Sequence, residues 1–323
     1  MNVESVAEEL DALEQVPLIQ SSEIRPGQNI ILRRPDTVEA LLSRLRETSA
    51  DGRTMLVFDD GLPGSGKTGM ARKLIERSEE EGLATRDQVA ELPLDFFIGT
   101  ERGSQERARL TDDPDFFQSN YVRYGLVREA LAAALEAVTK RRRTEIHLDR
   151  AYDRDNGGSF KPHSFEVPAD TKLLIVEGAG AISQVAAYDG VPQSVVPISV
   201  WIGTSIREGL FRGTLRDTLA GRGARSFEDI YMSRVKEYRH LVPWARDAVR
   251  RATHICLRYP EDESFAQSLV KLDKRIANGR RDSNTSVREV LAGLDPEFLR
   301  LIFPGKVPKK LRPKRRDAVM ALA

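Results

Sequence analysis

The sequence predicts an α/β protein whose parallel sheet is covered by helices on both faces. Three observations carry this prediction. Short apolar runs alternate with helical patterns along most of the chain, as strands and crossover helices do in parallel sheets. A glycine-rich segment, Gly61-Leu-Pro-Gly-Ser-Gly-Lys-Thr68, stands between one such run and one such helix. Two carboxylates, Asp95 and Glu177, fall at the ends of apolar runs, and ligands of parallel sheets bind at the carboxyl ends of the strands.

Residues 1–30 show weak periodicity, broken by Pro17 and Pro26. Residues 37–46 read as an amphipathic helix with Asp36 as its N-cap. Thr54-Met-Leu-Val-Phe58 is the first strand, and the helix after the glycine-rich segment runs over 69–77. A second apolar run covers 92–98, and Leu126 to Val138 is a helix rich in Ala and Leu. Thr144–Leu148 is a short strand candidate. Apolar runs at 172–176 and 194–202 follow, then helical patterns over 205–219 and 226–250, and a last strand at 253–257. Beyond Pro260 the chain is highly charged, with helical stretches at 263–276, 286–292 and 295–302. The organisation expected is an N-terminal extension (1–52), a core (53–260) and a charged helical C-terminal extension (261–323). No internal repeat is visible at a solenoid period.

Composition narrows the class. Of 323 residues 40% are apolar and 31% charged, the balance of a globular domain. No apolar run reaches the roughly 20 residues of a membrane span, and the acidic N-terminus lacks a signal-peptide h-region. A single cysteine, Cys256, allows no internal disulfide and no multi-cysteine zinc site, and reads as a small buried apolar residue. His147, His163, His240 and His254 show no metal-ligand spacing. These features point to the cytoplasm and to no membrane partner. The net charge is +1, yet residues 306–316 carry seven cationic side chains and no acid. Such a run is either a solvated tail or a clamp for a polyanion.

The chemistry starts at the glycine-rich segment. Gly61, Gly64, Ser65, Gly66, Lys67, Thr68 and Gly69 fit G-x-x-x-x-G-K-[ST] and the position after it. Backbone N–H groups of such a loop wrap phosphate oxygens, the lysine reaches the outer phosphates and the Thr hydroxyl holds Mg²⁺. The helix that follows adds the positive end of its dipole. ATP and Mg²⁺ are therefore the expected cofactors. Glu177, directly after a buried strand, suits the metal, bound directly or through water. Asp95 is placed to accept the proton of an attacking hydroxyl. Arg212 and Arg216, four residues apart, share a helix face, and their guanidinium groups suit the charge of a transferring phosphoryl group. Glycines around Arg222 allow a mobile lid. Asp59 and Asp60, before the loop, orient Lys67 or Mg²⁺, or cap the turn.

In this order (phosphate loop, Asp95-x-Phe97, Tyr152-Asp153, Glu177-Gly178, arginine helix with Arg216-Asp217, Gly-Arg lid) the chain resembles the uridine kinase and phosphoribulokinase group of P-loop kinases, which includes pantothenate and glycerate kinases. The resemblance covers roughly residues 53–258. It implies a P-loop NTPase three-layer sandwich, with Asp95 as general base and Tyr152 and Asp153 at the acceptor. Asn156 is the further acceptor candidate, and Glu237-Tyr238 falls near the group's later Gln-Tyr. The chain departs from uridine kinases after Tyr152-Asp153, where it reads Arg-Asp-Asn-Gly-Gly-Ser-Phe and lacks their nucleoside-holding histidine and arginine. Gly209 and Gly213 stand where that group's lid helix has arginines.

The function expected is ATP-dependent phosphorylation of a hydroxyl on a nucleoside-like or other small molecule. An alternative acceptor is a modified nucleoside within a polynucleotide, or a polynucleotide end, reached through the basic run at 306–316 and the cations over 271–281. A switch GTPase would need Asn-Lys-x-Asp after a strand, and the nearest string is Val270-Lys-Leu-Asp273 in a helical pattern. A motor-type ATPase would end the 172–176 strand in Asp-Glu, where this chain has Glu-Gly. The identity of the acceptor and the oligomeric state are open at the level of sequence.

Overall fold

The computed structural model describes residues 3–15, 18, 25–31, 34–154, 157–186, 189–219, 226–256, 290, 293–295 and 298–299. Asn156, Arg222, the 271–281 cations and the basic run at 306–316 lie outside the described residues. The helical stretches expected after Pro260 do so almost entirely. The chain divides into two compact units, one of Met1–Val16, Ser205–Lys236 and Tyr259–Ala323 and one of Pro17–Thr204 and Glu237–Arg258.

The larger unit holds a six-stranded sheet with strand order β1-β8-β7-β2-β6-β3. Its strands are β1 (Asn29–Ile31), β2 (Thr54–Asp60), β3 (Val89–Pro93), β6 (Leu173–Glu177), β7 (Val195–Ile202) and β8 (His254–Cys256). Every pairing in it is parallel. β2 lies between β6 and β7 and is buried along its whole length. That explains why it reads as a continuous apolar run rather than an alternating one. On one face, α2 (Arg34–Ala50) and α3 (Lys67–Glu80) bury Val38, Leu41, Leu42, Leu45, Met70 and Leu74 against Met55, Val57, Leu173, Ile175, Ile198 and Val200. The alternate residues Leu56, Phe58, Leu174 and Val176 point to the opposite face and are equally buried. α6 (Tyr124–Thr139) carries a buried stripe of Val127, Leu131, Ala134, Leu135 and Val138.

Three expectations change here. The 144–148 strand candidate is a strand, though longer than expected and outside the main sheet. It begins β4 (Thr144–Asp153), which pairs antiparallel with β5 (Ser159–Val167) as a two-stranded ribbon. Along Thr144–Leu148 half-buried and exposed residues alternate, the mark of a strand open to water on one side. The 92–98 run is not one strand. β3 ends at Pro93 and a 3-10 turn, Leu94–Phe97, follows, since a proline has no N–H to continue the ladder. Finally, residues 29–50, expected in an extension, supply an edge strand and a packed helix to the sheet.

The smaller unit is helical. The weakly periodic N-terminus forms α1 (Val3–Glu14), whose Val6, Leu10 and Leu13 are buried at i, i+4, i+7. Arg207 of α7 (Ile206–Leu219) reaches back to Asp11 at 2.9 Å and Glu14 at 2.8 Å. Phe211, Phe227, Tyr231 and Phe298 form its ring cluster. α8 (Phe227–Arg251) begins in this unit and ends in the other. In the larger unit two short helices, α4 (Gln105–Arg109) and α5 (Pro114–Asn120), lie between the Leu94–Phe97 turn and α6 in the chain. No helix of the described residues is long and apolar enough to cross a membrane.

Candidate active site

The phosphate loop joins the carboxyl end of β2 to the head of α3, so the spare N–H groups of α3 point out of the sheet edge. Gly64 and Gly66 hold φ values of 84° and 96°, which side chains with a Cβ avoid. A Cβ on Gly61 would lie 2.6 Å from Ser65 Oγ and 2.7 Å from the Ile202 carbonyl oxygen, so the first loop residue has room only for hydrogen. Lys67 is buried and its Nζ donates to the Gly61 and Leu62 carbonyls at 2.9 and 3.2 Å. The Tyr238 hydroxyl, from α8, donates to the Pro63 carbonyl. Gly69 is the third residue of α3 and has open space around its Cα.

The Thr68 hydroxyl donates to Glu177, 3.2 Å from each carboxylate oxygen. Residues 109 positions apart meet because β2 and β6 are neighbours and Asp59 pairs in register with Glu177. Desolvation pushes the Glu177 carboxyl above its ordinary range; Asp95 reinforces the shift, while Lys67, Thr68 and Arg154 oppose it. Hydroxyl and carboxylate oxygens are hard donors of the kind Mg²⁺ takes, and a glycine-lined loop for phosphate stands beside them. No group of three or more His, Cys, Asp or Glu among the described residues is placed to hold a metal. The pair offers two such oxygen donors, which could hold a metal only together with substrate phosphates and water.

Asp60 finds its role in the structure. Its buried carboxylate accepts the N–H groups of Gly61 (2.6 Å), Gly180 (3.0 Å) and Ile182 (2.9 Å). It ties the start of the phosphate loop to the segment that follows Glu177. The Gly178 N–H bonds to the Asp59 carbonyl at 3.0 Å, and the Tyr124 hydroxyl donates to the Ala179 carbonyl at 2.9 Å. Sequence reasoning singled out the Asp59-Asp60 doublet but assigned it no single role, because the partners of Asp60 are backbone groups of a distant turn.

Asp95 sits in the turn after β3, two residues beyond Pro93, which pairs with Glu177. The turn is held by rings: Phe96 stacks on His163 of β5 at 4.2 Å, and Phe97 stacks on Phe165 at 5.9 Å. Asp95 itself is half-exposed and its Oδ2 accepts Arg154 Nη1 at 2.5 Å. Arg154 follows directly on β4, and nothing in its local sequence marks it as a partner of a residue 59 positions away. The neighbouring candidates are both buried: Tyr152 packs beside Gly158, and Asp153 pairs with Lys161 at 2.5 Å. Tyr121 lies in the fields of Glu237, Arg107 and Asp95, and burial pushes its hydroxyl well above the ordinary range.

Arg212 and Arg216 lie one turn apart on α7, in the smaller unit. Arg212 pairs with Glu208 at 3.2 Å, and Arg216 with Asp217 at 3.2 Å. Asp217 also holds Arg234, buried, at 2.5 Å. A Cβ on Gly213 would stand 3.2 Å from Arg234 Nη1, so this glycine makes room for that ion pair.

No family model matches the chain, and no curated protein matches it. Among solved structures the chain is similar to a possible uridine kinase from Bacillus stearothermophilus, at 16% identity over 69% of this chain and 98% of that one, with a TM-score of 0.37. It is also similar to a candidate fructose transport system kinase from Silicibacter sp. TM1040, at 14% identity over 79% of this chain and 98% of that one, with a TM-score of 0.39. Both are kinases by name, as is the group that the sequence motifs resemble.

Proposed function

We propose that the protein is an ATP-dependent phosphotransferase that moves the γ-phosphoryl group to a hydroxyl. The observation that carries the reading is the contact of Thr68 with both oxygens of Glu177 at the head of α3, with Asp95 in the turn beyond the neighbouring strand. A phosphate loop alone binds a nucleotide; a separate carboxylate beside it supplies a base for an acceptor.

In this reading the loop N–H groups and Lys67 hold the triphosphate. Thr68 and Glu177 would hold Mg²⁺, which would supply positive charge against the phosphate oxygens. Asp95 takes the proton of the acceptor hydroxyl as its oxygen bonds to γ-phosphorus and the bond to the β-phosphate oxygen breaks, releasing ADP. Lys67 stabilises the transferring group, and Arg212 and Arg216 of α7 are the further candidates for that role. Tyr152, Asp153 and Asn156 shape the acceptor pocket.

An ATP-consumption panel of nucleosides, sugar acids, pantothenate-like alcohols and hydroxyl-bearing oligonucleotides tests the reading. Acceptor-dependent ADP release is expected, and Asp95→Asn is expected to lower it by at least a hundredfold, within the range general-base catalysis supplies. Wild-type rates in Asp95→Asn, or turnover that needs no acceptor, would overturn it.

A further inference from the structure

We propose that the acceptor carries an anionic group close to its reacting hydroxyl, and that Arg154 is the specificity residue that binds this group. The proposal rests on the phosphotransferase reading above and names its substrate class.

The argument starts from the partner of Asp95. Its Oδ2 is engaged by the Arg154 guanidinium at 2.5 Å, and an oxygen engaged in this way is not open to a hydroxyl proton. The other cations of the hairpin and its neighbourhood are committed elsewhere. Lys161 pairs with Asp153 at 2.5 Å. Arg150 lies over the Phe160 ring at 4.5 Å, and Arg123, over the same ring at 5.5 Å, donates to the Arg150 carbonyl. Arg154 is therefore the cation joined to the base itself. The pair lies at the end of the sheet where Glu177 ends its strand, since Pro93, two residues before Asp95, pairs with Glu177.

A hydroxyl that hands its proton to Oδ2 takes the place of Arg154 on that oxygen. A neutral alcohol offers the guanidinium nothing in exchange. An alcohol bearing an oxyanion does: Arg154 trades one carboxylate for another oxyanion of matching fork geometry, and Asp95 is released to the hydroxyl in the same movement. With Asp95 about half exposed, the pair is weak enough in water for that exchange. The chemistry selects a carboxylate, a phosphate monoester or a phosphodiester beside the hydroxyl. It also explains why the nucleoside-holding histidine and arginine of uridine kinases are not needed here.

Matched acceptors separate the sources: glycerol against glycerate and glycerol 3-phosphate, and thymidine against thymidine 5′-monophosphate and a thymidine dinucleotide. Coupled ADP release gives kcat and KM for each with the wild-type chain, Arg154→Gln and Arg154→Lys. The expected result is a preference of tenfold or more for one anionic form over its neutral partner. Arg154→Gln raises the KM of that form at least tenfold with little change in kcat, leaves the neutral partner unchanged or improved, and Arg154→Lys recovers part of the loss. A wild-type preference for the neutral members overturns the anion proposal and leaves the phosphotransferase reading standing. So does an equal fall in kcat for both members in Arg154→Gln, which would place Arg154 on the transferring phosphoryl group. No acceptor-dependent turnover anywhere in the panel overturns both. Far-UV circular dichroism and a thermal melt of each variant verify that the fold is kept.

Discussion

The carboxylate of Asp60 accepts the backbone N–H of Gly180 at 3.0 Å, across 120 positions of sequence. With Gly61 and Ile182 as its other donors, this side chain couples the phosphate loop to the segment that Glu177 begins. The start of the loop and the turn after β6 are thereby held as one body.

Asp60 also makes stability depend on pH. Burial pushes its carboxyl up to about 6 from an ordinary 3.8, against the pull of its three N–H donors and Lys67. A proton held more tightly in the folded state stabilises the fold fully below 3.8, and the contribution is lost as the pH rises through about 6. About two pH units correspond to about 3 kcal/mol. Chemical denaturation between pH 4 and pH 8 is expected to show this decline in the wild type and a flatter profile in Asp60→Asn. Parallel profiles would sink the assignment.

Removing a donor group from the Thr68–Glu177 pair is expected to act on metal before chemistry. Glu177→Gln and Thr68→Ala should raise the Mg²⁺ concentration for half-maximal activity by roughly 10- to 100-fold, as losses around metal sites do. Thr68→Ser keeps the hydroxyl and should behave as wild type. A Mg²⁺ titration at fixed ATP decides this, and an unshifted midpoint in all three variants would refute the pair as a metal site.

Gly178 connects the strand of Glu177 to the turn of Asp95. A Cβ there would press on the Cβ of Leu94 and lie 2.8 Å from its Cγ, and Leu94 is fully buried. Gly178→Ala is expected to destabilise by about 1–3 kcal/mol, the range of overpacking, and to lower kcat because Leu94 adjoins Asp95. Thermal unfolding and the coupled ADP assay measure the two effects; a wild-type melting temperature would refute the contact.

Tyr238→Phe removes the hydroxyl bonded to the Pro63 carbonyl while keeping the buried ring. A single such hydrogen bond contributes about 1 kcal/mol, or about fivefold in Kd. Calorimetric titration with ATP is expected to give weaker binding by that factor, with the unfolding temperature little changed. Unaltered affinity would show that the loop needs no support from α8.

The phosphate loop, Thr68, Glu177 and the strands β2, β6, β7 and β8 were legible in sequence, for local reasons. A glycine-rich loop needs backbone conformations that only certain residues supply, and strands buried on both faces read as unbroken apolar runs. Of the β4–β5 ribbon only its start, Thr144–Leu148, was read as a strand, because the remainder carries too few apolar residues to stand out. Arg154 and the three donors of Asp60 could not be read, since no periodicity links a side chain to a partner 59 or 120 positions away.

Sequence by itself thus determined which chemistry can occur at the end of β2: phosphate on the loop, a hydroxyl at Thr68 and a carboxylate at Glu177, each set by residue type and spacing. Only the tertiary structure decided what those groups face. Parallel pairing of β6 with β2 brings Glu177 to Thr68, and the packing of Phe96 and Phe97 on the hairpin brings Arg154 to Asp95. The physical reason is that strand order and ring packing are properties of the whole fold, while motifs belong to a few consecutive residues.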